Sequence, residues 1–183
     1  MTTSKKERII HAAAELFVKH GYASTSIRQI AQRADVATGL LYNYYDGKED
    51  LLRNIFLNGL SRVRSSFEKA ENMPSGNIIS NLAVQSFKLV KENLEFWRLF
   101  YSIRMQPAVL RTVQLDLTEW TGYVMEQLVR YFKAAKVPDP EAEAQVLFSV
   151  IDGISQHYAM APNSYPFDNA VSIIERTFDY ETH

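Results

Sequence analysis

Apolar residues recur at three- and four-residue steps along most of the chain, and this spacing predicts amphipathic helices. The first such helix is predicted from about residue 5 to residue 20. Ser4 precedes it as a natural N-cap, and Glu7, three residues on, completes a capping box. Gly21 follows at a position where a positive φ commonly ends a helix. Its apolar stripe consists of Ile9, Ala13, Leu16 and Phe17.

Two shorter helical patterns follow, and a tight turn at residues 35–37 separates them. Thr25 or Ser26 can cap the first of these helices, and the second covers about residues 38–44. Two short helices, a three-residue turn and small residues where the helices cross satisfy the helix-turn-helix pattern. The stripe of the first short helix consists of Ile27, Ile30, Ala31 and Ala34.

The remainder of the chain is also helical in pattern. A long helix starts at Lys48 and runs to about Phe67, and residues 72–77 form the clearest loop. No strand-type alternation occurs, so the fold class is predicted to be all-α, with about nine helices. The later helices are predicted at about residues 78–91, 94–105, 108–135, 140–160 and 168–180.

Composition excludes several classes of function. The 183 residues include no cysteine, so disulfides and thiolate metal sites are impossible. No apolar run approaches the roughly 20 residues that cross a bilayer. The four histidines lack di-iron spacing, and no phosphate-binding glycine loop, HExxH or GxSxG motif occurs. We therefore expect no enzyme activity, cofactor, metal or membrane partner, and a cytoplasmic location.

Charge is distributed unevenly, although the net charge is only −1. Residues 1–65 carry ten Lys and Arg against six Asp and Glu, a net charge of +4, and residues 66–183 carry ten against fifteen, a net charge of −5. A basic head on an acidic body is expected when only one end of a protein meets phosphate. Chance is the alternative explanation, because many proteins show a difference of this size.

The N-terminal pattern closely resembles the DNA-binding domain of the TetR family of transcriptional regulators. The resemblance covers about residues 8–52 and includes TSIRQIA at residues 25–31, GLLYNYY at residues 39–45 and GKEDLL at residues 47–52. It implies a ligand-responsive transcriptional regulator, expected to be a repressor, that binds a palindromic double-stranded operator as a homodimer. A small hydrophobic effector would release the DNA. It also implies a helix-turn-helix domain over residues 1–47 and a helical effector-binding and dimerisation domain over residues 48–183.

The helix at residues 38–44 would be the recognition helix, which enters the major groove and presents its first residues to base edges. Lys48, together with the free N–H groups at the start of the fourth helix, would bind a phosphate. Leu41 and Tyr45 are expected to belong to the core instead. The expected DNA contacts are Thr25, Ser26, Arg28, Thr38, Gly39, Leu40, Tyr42, Asn43, Tyr44 and Lys48.

Three positions depart from the family's frequent residues. Ala37 stands where a serine is common, and its missing hydroxyl is expected to weaken the cap of the recognition helix. Leu40 replaces a threonine that often contacts DNA, and Gly47 replaces a serine but remains an acceptable N-cap. These departures affect which operator is bound and leave the DNA-binding role in place.

The body would hold the effector and the dimer interface. Apolar cavities between bundle helices are common small-molecule sites, although most aromatic residues at helical spacing are ordinary core. The residues expected to contact an effector are Phe87, Phe96, Trp97, Phe100, Tyr101, Arg104, Trp120 and Tyr123. The last two helices would pair with those of a second subunit across a twofold axis, and the residues expected there are Val150, Ile151, Ile154, Tyr158, Ile174 and Phe178.

A different class of function stays open at this point. The chain could be a helical-bundle interaction protein, or a small-molecule-binding protein without a DNA role. Salt-dependent binding to duplex DNA, lost in the Lys48→Ala and Tyr44→Ala variants, would separate these functions from a regulator. The sequence identifies neither the effector nor the operator.

Overall fold

The computed structural model describes residues 4–73 and 77–178. These residues form nine α-helices and no strand, which confirms the predicted all-α class. None of the described helices combines the length and the apolar content needed to span a bilayer. The helices are α1 Lys5–His20, α2 Ile27–Arg33, α3 Thr38–Tyr42, α4 Lys48–Glu71, α5 Ile78–Glu92, α6 Leu94–Arg104, α7 Pro107–Ala134, α8 Pro140–Met160 and α9 Phe167–Thr177.

Local signals fix both ends of α1 where the sequence predicts them. The Glu7 N–H donates to Ser4 Oγ over 3.2 Å, and the Ser4 N–H donates to Glu7 Oε2 over 2.8 Å. Hydrogen bonds from the Ser4 backbone and hydroxyl hold the pKa of Glu7 below its usual value. At the other end, Gly21 adopts φ 82° and donates its N–H to the Phe17 carbonyl over 3.0 Å. The predicted capping box and C-terminal glycine are therefore confirmed.

The turn between α2 and α3 is tied to α1. Asp35 adopts a left-handed φ of 54°, and the Val36 N–H donates to the Ala31 carbonyl over 3.0 Å. The Arg8 guanidinium of α1 donates to the carboxylate and to the carbonyl of Asp35, over 3.4 and 3.3 Å. These contacts join α1, α2 and α3 into one unit, which we call the head.

Helix α4 belongs to both the head and the rest of the chain, which we call the body. It packs against α1 and also against α5, α6 and α7. One continuous hydrophobic core accordingly runs from Ile9 in α1 to Phe178 after α9. A displacement of α4 by the body would therefore change the packing of the head.

Some helix ends differ from the prediction. Helix α3 ends at Tyr42, where the N–H groups of Asn43 and Tyr44 donate to carbonyls only three residues back. At its start, Ala37 provides no side-chain cap. Helix α4 continues to Glu71, whose carboxylate accepts hydrogen bonds from Arg130 and Tyr131 of α7. Residues 74–76 of the predicted loop and residues 179–180 of the predicted last helix lie outside the described residues.

Candidate nucleic-acid interface and apolar cavity

Two buried side chains anchor α3 to the head and leave its other side open. Leu41 is fully buried and Tyr45 is 2% exposed, as predicted for core residues. Burial raises the pKa of Tyr45 to about 12, with smaller contributions from Asp50 and Tyr44. Leu40 is half-buried, and the exposed residues of this segment are Thr38, Gly39, Tyr42, Asn43 and Tyr44.

Gly39 lies on the exposed side of α3. Apart from its chain neighbours and the backbone of α3, a Cβ atom added at this position would meet none of the described residues within 4 Å. Glycine inside a helix is roughly 0.5–1 kcal/mol less favourable than alanine. The fold itself therefore gives no reason for glycine here, whereas the close approach of a partner molecule would.

The start of α2 presents some of the expected phosphate contacts and buries another. Ser26 caps the helix, since its hydroxyl accepts the Gln29 N–H over 3.3 Å, and both Ser26 and Arg28 are exposed. Thr25 is only 2% exposed, and its hydroxyl donates to the Gly21 and Leu16 carbonyls over 2.8 and 3.2 Å. This placement argues against the expected phosphate contact of the Thr25 side chain, because the hydroxyl already joins α1 to α2.

Lys48 is half-buried at the start of α4 and bound to the head. Its ammonium donates to the carbonyls of Tyr22, Ala23 and Thr25 over 2.8, 3.2 and 3.0 Å, and it lies 4.5 Å from the centre of the Tyr22 ring. An ammonium has three N–H donors, and here each has a carbonyl partner. The expected phosphate contact would require Lys48 to give up at least one of these bonds. Lys48 joins α4 to the segment between α1 and α2.

An apolar cavity of about 60 Å³ lies between α4, α5, α6, α7 and α8. Trp97, Tyr101 and Trp120, three of the expected effector contacts, line it. Phe100, Arg104 and Trp120 line an adjoining open groove. The sequence did not point to its other walls, although Val63 and Phe67 belong to the periodic apolar stripe of α4. The walls not predicted include Val63, Phe67, Leu82, Val90, Phe148 and Ser155.

The other expected effector contacts lie outside the cavity. Phe87 packs against Phe167, with ring centres 5.3 Å apart. Tyr123 packs against Phe67 and lies under the Arg64 guanidinium, 4.3 Å from its ring centre. In this structure both Phe87 and Tyr123 are packing residues, and their contact with an effector stays a prediction.

Charged and polar side chains close the cavity on the side of α8. The Arg104 guanidinium donates to both carboxylate oxygens of Asp152, over 3.0 and 2.8 Å. The Tyr101 hydroxyl donates to Asp152 Oδ1 over 3.1 Å, and burial, followed by the Asp152 charge, raises the pKa of Tyr101 far above its usual value. Asp152, Trp120 and Phe148 line both the cavity and the groove. These three side chains form the wall between the two spaces.

Phe96 connects the neighbourhood of the cavity to α4. Its ring packs against Trp97 and against Phe56 of α4, with ring centres 5.2 and 5.9 Å apart. A Cβ atom added at Gly59 would lie 2.1 Å from the Phe96 ring. The ring thus fits against α4 only because residue 59 has no side chain, and a shift of Trp97 would act on α4 at this point.

The outer face of α8 and α9 differs from the predicted dimer interface. Ile174 and Phe178 are 5% and 4% exposed and belong to the core of their own chain, while Ile151 lines the cavity. The apolar stripes of α8 and α9 thus serve the body's own packing, and a contact of these three residues with a second subunit stays a prediction. Tyr158 packs against Phe167, with ring centres 4.2 Å apart. The apolar residues that do face outward include Val146 and Ile173, both 52% exposed, with Val150 and Ile154 half-buried.

Comparisons with known proteins agree with this architecture. The profile of the family described as "Bacterial regulatory proteins, tetR family" matches residues 9–55. The HTH-type transcriptional regulator BetI 1 of Chromohalobacter salexigens is 26% identical over 98% of this chain and 90% of its own length.

Solved structures share the whole fold at lower identity. The fatty acid degradation regulator FadR from Bacillus halodurans superimposes with a TM-score of 0.80 at 21% identity, covering 96% of this chain and 95% of its own. A transcriptional regulator FadR from Bacillus subtilis, solved in complex with stearoyl-CoA, gives 0.77 at 18% identity, covering 96% and 98%.

Proposed function

Because the chain belongs to the TetR family of transcriptional regulators, we propose that it is a repressor that binds a palindromic operator as a homodimer and releases it when a small hydrophobic effector enters the cavity. In this proposal residues 1–47 are the DNA-binding domain and residues 48–183 bind the effector and the second subunit. The protein acts by binding and not by catalysis, and it works in the cytoplasm, where its DNA is.

The exposed side of α3 carries the DNA part of this proposal. Leu41 and Tyr45 fix the helix from within, so that Thr38, Tyr42 and Asn43 stand free on the surface. Hydroxyl and amide side chains are suited to base edges and phosphate oxygens. Ser26 and Arg28 at the start of α2 are exposed as well. A duplex seated on α3 would thus meet polar side chains from both helices.

The outer face of α8 and α9 supports the dimer. Val146, Val150 and Gly153 follow one another at helical spacing on α8, and a Cβ atom added at Gly153 would meet nothing within 4 Å. Ile173 on α9 adds a second exposed apolar residue. A twofold contact through this face would bring two copies of α3 to one side of the dimer. Successive major grooves require the two helices to lie about 34–36 Å apart.

The contacts of α4 support a route for release. The cavity is smaller than the roughly 300 Å³ or more of typical ligand sites, so a bound effector must push its walls outward. Val63 and Phe67 of α4 form part of those walls, and Phe96 presses on α4 at Gly59. Lys48 joins the first turn of α4 to the head. A displaced α4 would therefore carry the head with it and change the spacing of the two α3 helices.

Selection of bound sequences from random duplex DNA tests the function. We expect a palindrome with half-sites about one helical turn apart, and affinity that falls steeply with salt. Sedimentation of the protein alone should show a dimer at micromolar concentration. An Arg28→Ala variant should bind the selected duplex more weakly, and a Lys88→Ala variant, which removes a cation in α5, should match the parent. Recovery of no preferred sequence, or a monomer at all concentrations, would contradict the proposal.

A further inference from the structure

We infer that the cavity selects an uncharged, mainly apolar ligand that carries a hydrogen-bond acceptor of the carbonyl type, received by the indole N–H groups of Trp97 and Trp120. This inference rests on the proposed function, because it concerns the effector of the same cavity. It goes further by naming the chemistry that the cavity recognises.

Unpaired donors in the wall are the first observation. Trp97 and Trp120 both line the cavity, and within the part of the chain that the structure describes the indole nitrogen of each is buried without a hydrogen-bond partner. Trp97 is only 6% exposed. The Ser155 hydroxyl, 2% exposed, lies near the Tyr101 hydroxyl, yet it makes no hydrogen bond of standard geometry. Buried N–H groups without acceptors are unfavourable and rare in folded proteins. A ligand that brings an acceptor would satisfy them.

The shape and lining of the cavity are the second observation. Its walls are largely aliphatic and aromatic, from Val63 and Phe67 on one side to Leu128 and Phe148 on the other. A water molecule needs two to four polar partners to be held in such a place. The indole donors are single N–H groups on a largely apolar surface, whose other polar side chains are Ser86, Tyr101, Asp152 and Ser155. The ligand that fits must therefore be apolar over most of its surface and polar at one point.

The charge of the cavity is the third observation, and it favours a neutral ligand. Among the described residues that line the cavity, only Asp152 is charged, and its carboxylate is already bound by Arg104 and by the Tyr101 hydroxyl. Arg104 reaches this carboxylate from the side of the open groove. An anion inside the cavity would be repelled by Asp152, and a cation would have to compete with Arg104 for it. Only an uncharged acceptor can bind the buried donors without being repelled by Asp152 or competing with Arg104.

Three compounds of equal size and shape test the polarity of the ligand directly. Cyclohexyl methyl ketone is neutral and has an acceptor, isopropylcyclohexane has none, and cyclohexanecarboxylate is an anion. The two tryptophans of the chain both line the cavity, so their fluorescence reports on occupancy, and none of the three compounds absorbs strongly where indole does. We expect the ketone to bind about tenfold more tightly than the hydrocarbon, the size of one net hydrogen bond. The carboxylate should bind more weakly than the ketone at neutral pH.

Single variants identify the donor. Trp97→Phe and Trp120→Phe each keep an aromatic ring and remove one N–H, and the remaining tryptophan still reports binding. In at least one of them the preference for the ketone over the hydrocarbon should fall to about twofold or less. Tyr123→Phe is the matched control, because it also removes a polar atom from a ring but lies outside the cavity. It should keep the full preference.

Several outcomes would overturn the inference. These are equal binding of ketone and hydrocarbon, tighter binding of the carboxylate, an unchanged preference in both tryptophan variants, or no ketone binding at millimolar concentration. If the variants fail to fold, the order of affinities of the three compounds for the parent protein still tests the inference. All binding is measured without DNA, and the selected duplex is tested without compounds. A preference for the ketone in a protein that ignores DNA would therefore defeat the proposed function alone, and DNA binding without a ketone preference would defeat this inference alone.

Discussion

Replacing Gly39 by alanine should stabilise the protein and weaken its binding to DNA. Both effects follow from one observation, the empty space around an added Cβ atom on the exposed side of α3. Apart from the chain neighbours and the α3 backbone, none of the described residues lies within 4 Å of this atom, so the methyl group meets no obstacle in the free protein. The change restricts the unfolded chain, which is worth roughly 0.4–1 kcal/mol. For a chain of this length the melting temperature should rise by about 1–4 °C.

On DNA the same methyl group would stand between the α3 backbone and the groove. A lost base contact costs roughly 1–3 kcal/mol, so the dissociation constant of the selected operator should rise by about five- to 150-fold. Thermal unfolding measures the first effect, and fluorescence anisotropy with a labelled duplex at fixed salt measures the second. The opposite signs of the two effects separate loss of contact from loss of fold.

Gly122→Ala is the matched control for Gly39→Ala. Gly122 lies in α7, far along the chain from α3, and a Cβ atom added there also meets nothing within 4 Å. It should give a similar gain in stability with unchanged affinity for DNA. Operator binding by Gly39→Ala as tight as that of the parent would refute a close approach of DNA to residue 39. A lower melting temperature would refute the argument from free space.

Three further perturbations test the contacts of α4. Gly59→Ala should destabilise the fold by roughly 1–3 kcal/mol, because its Cβ would lie 2.1 Å from the Phe96 ring. Thermal unfolding should show that adding Phe96→Leu recovers part of this loss. Additive losses of stability in the double variant would speak against this contact. Lys48→Met should lower the melting temperature, since three carbonyls lose their donor. The slope of the logarithm of DNA affinity against the logarithm of salt concentration should stay unchanged. A slope smaller in magnitude by about 0.9 would instead reveal a phosphate contact. The Tyr131 hydroxyl, followed by Arg130, holds the pKa of Glu71 below 4.5. The stability contributed by this carboxylate is present above pH 4.5 and is lost as the pH falls through the lower value in the folded protein. The melting temperature of Glu71→Gln should therefore lie below that of the parent near pH 7 and approach it near pH 3, and a gap that stays constant would contradict this assignment.

Local interactions explain why so much of the head was predictable. The capping box of Ser4 and Glu7, the left-handed Gly21 and the cap of α2 by Ser26 each join residues no more than four apart. Such contacts depend little on the rest of the fold, so the sequence is sufficient to locate them. The inward positions of Leu41 and Tyr45 follow from helical periodicity in the same way. The end of α3 was less predictable than its start, because a five-residue helix has little periodicity.

The amino-acid sequence by itself determined the all-α class, the helix-turn-helix and the family, because these depend on short-range pattern. Only the tertiary structure decided which residues of each apolar stripe pack in the chain's own core, which line the cavity and which lie on the surface. Ile174 and Phe178 turned out to face their own core, Ile151 the cavity, and Val146 and Ile173 the surface. The Thr25 hydroxyl and the Lys48 ammonium found carbonyl partners at distances along the chain that no local pattern encodes, up to 26 residues. A helix with apolar residues on more than one side can pack against several different neighbours, and long-range packing determines which of them it contacts.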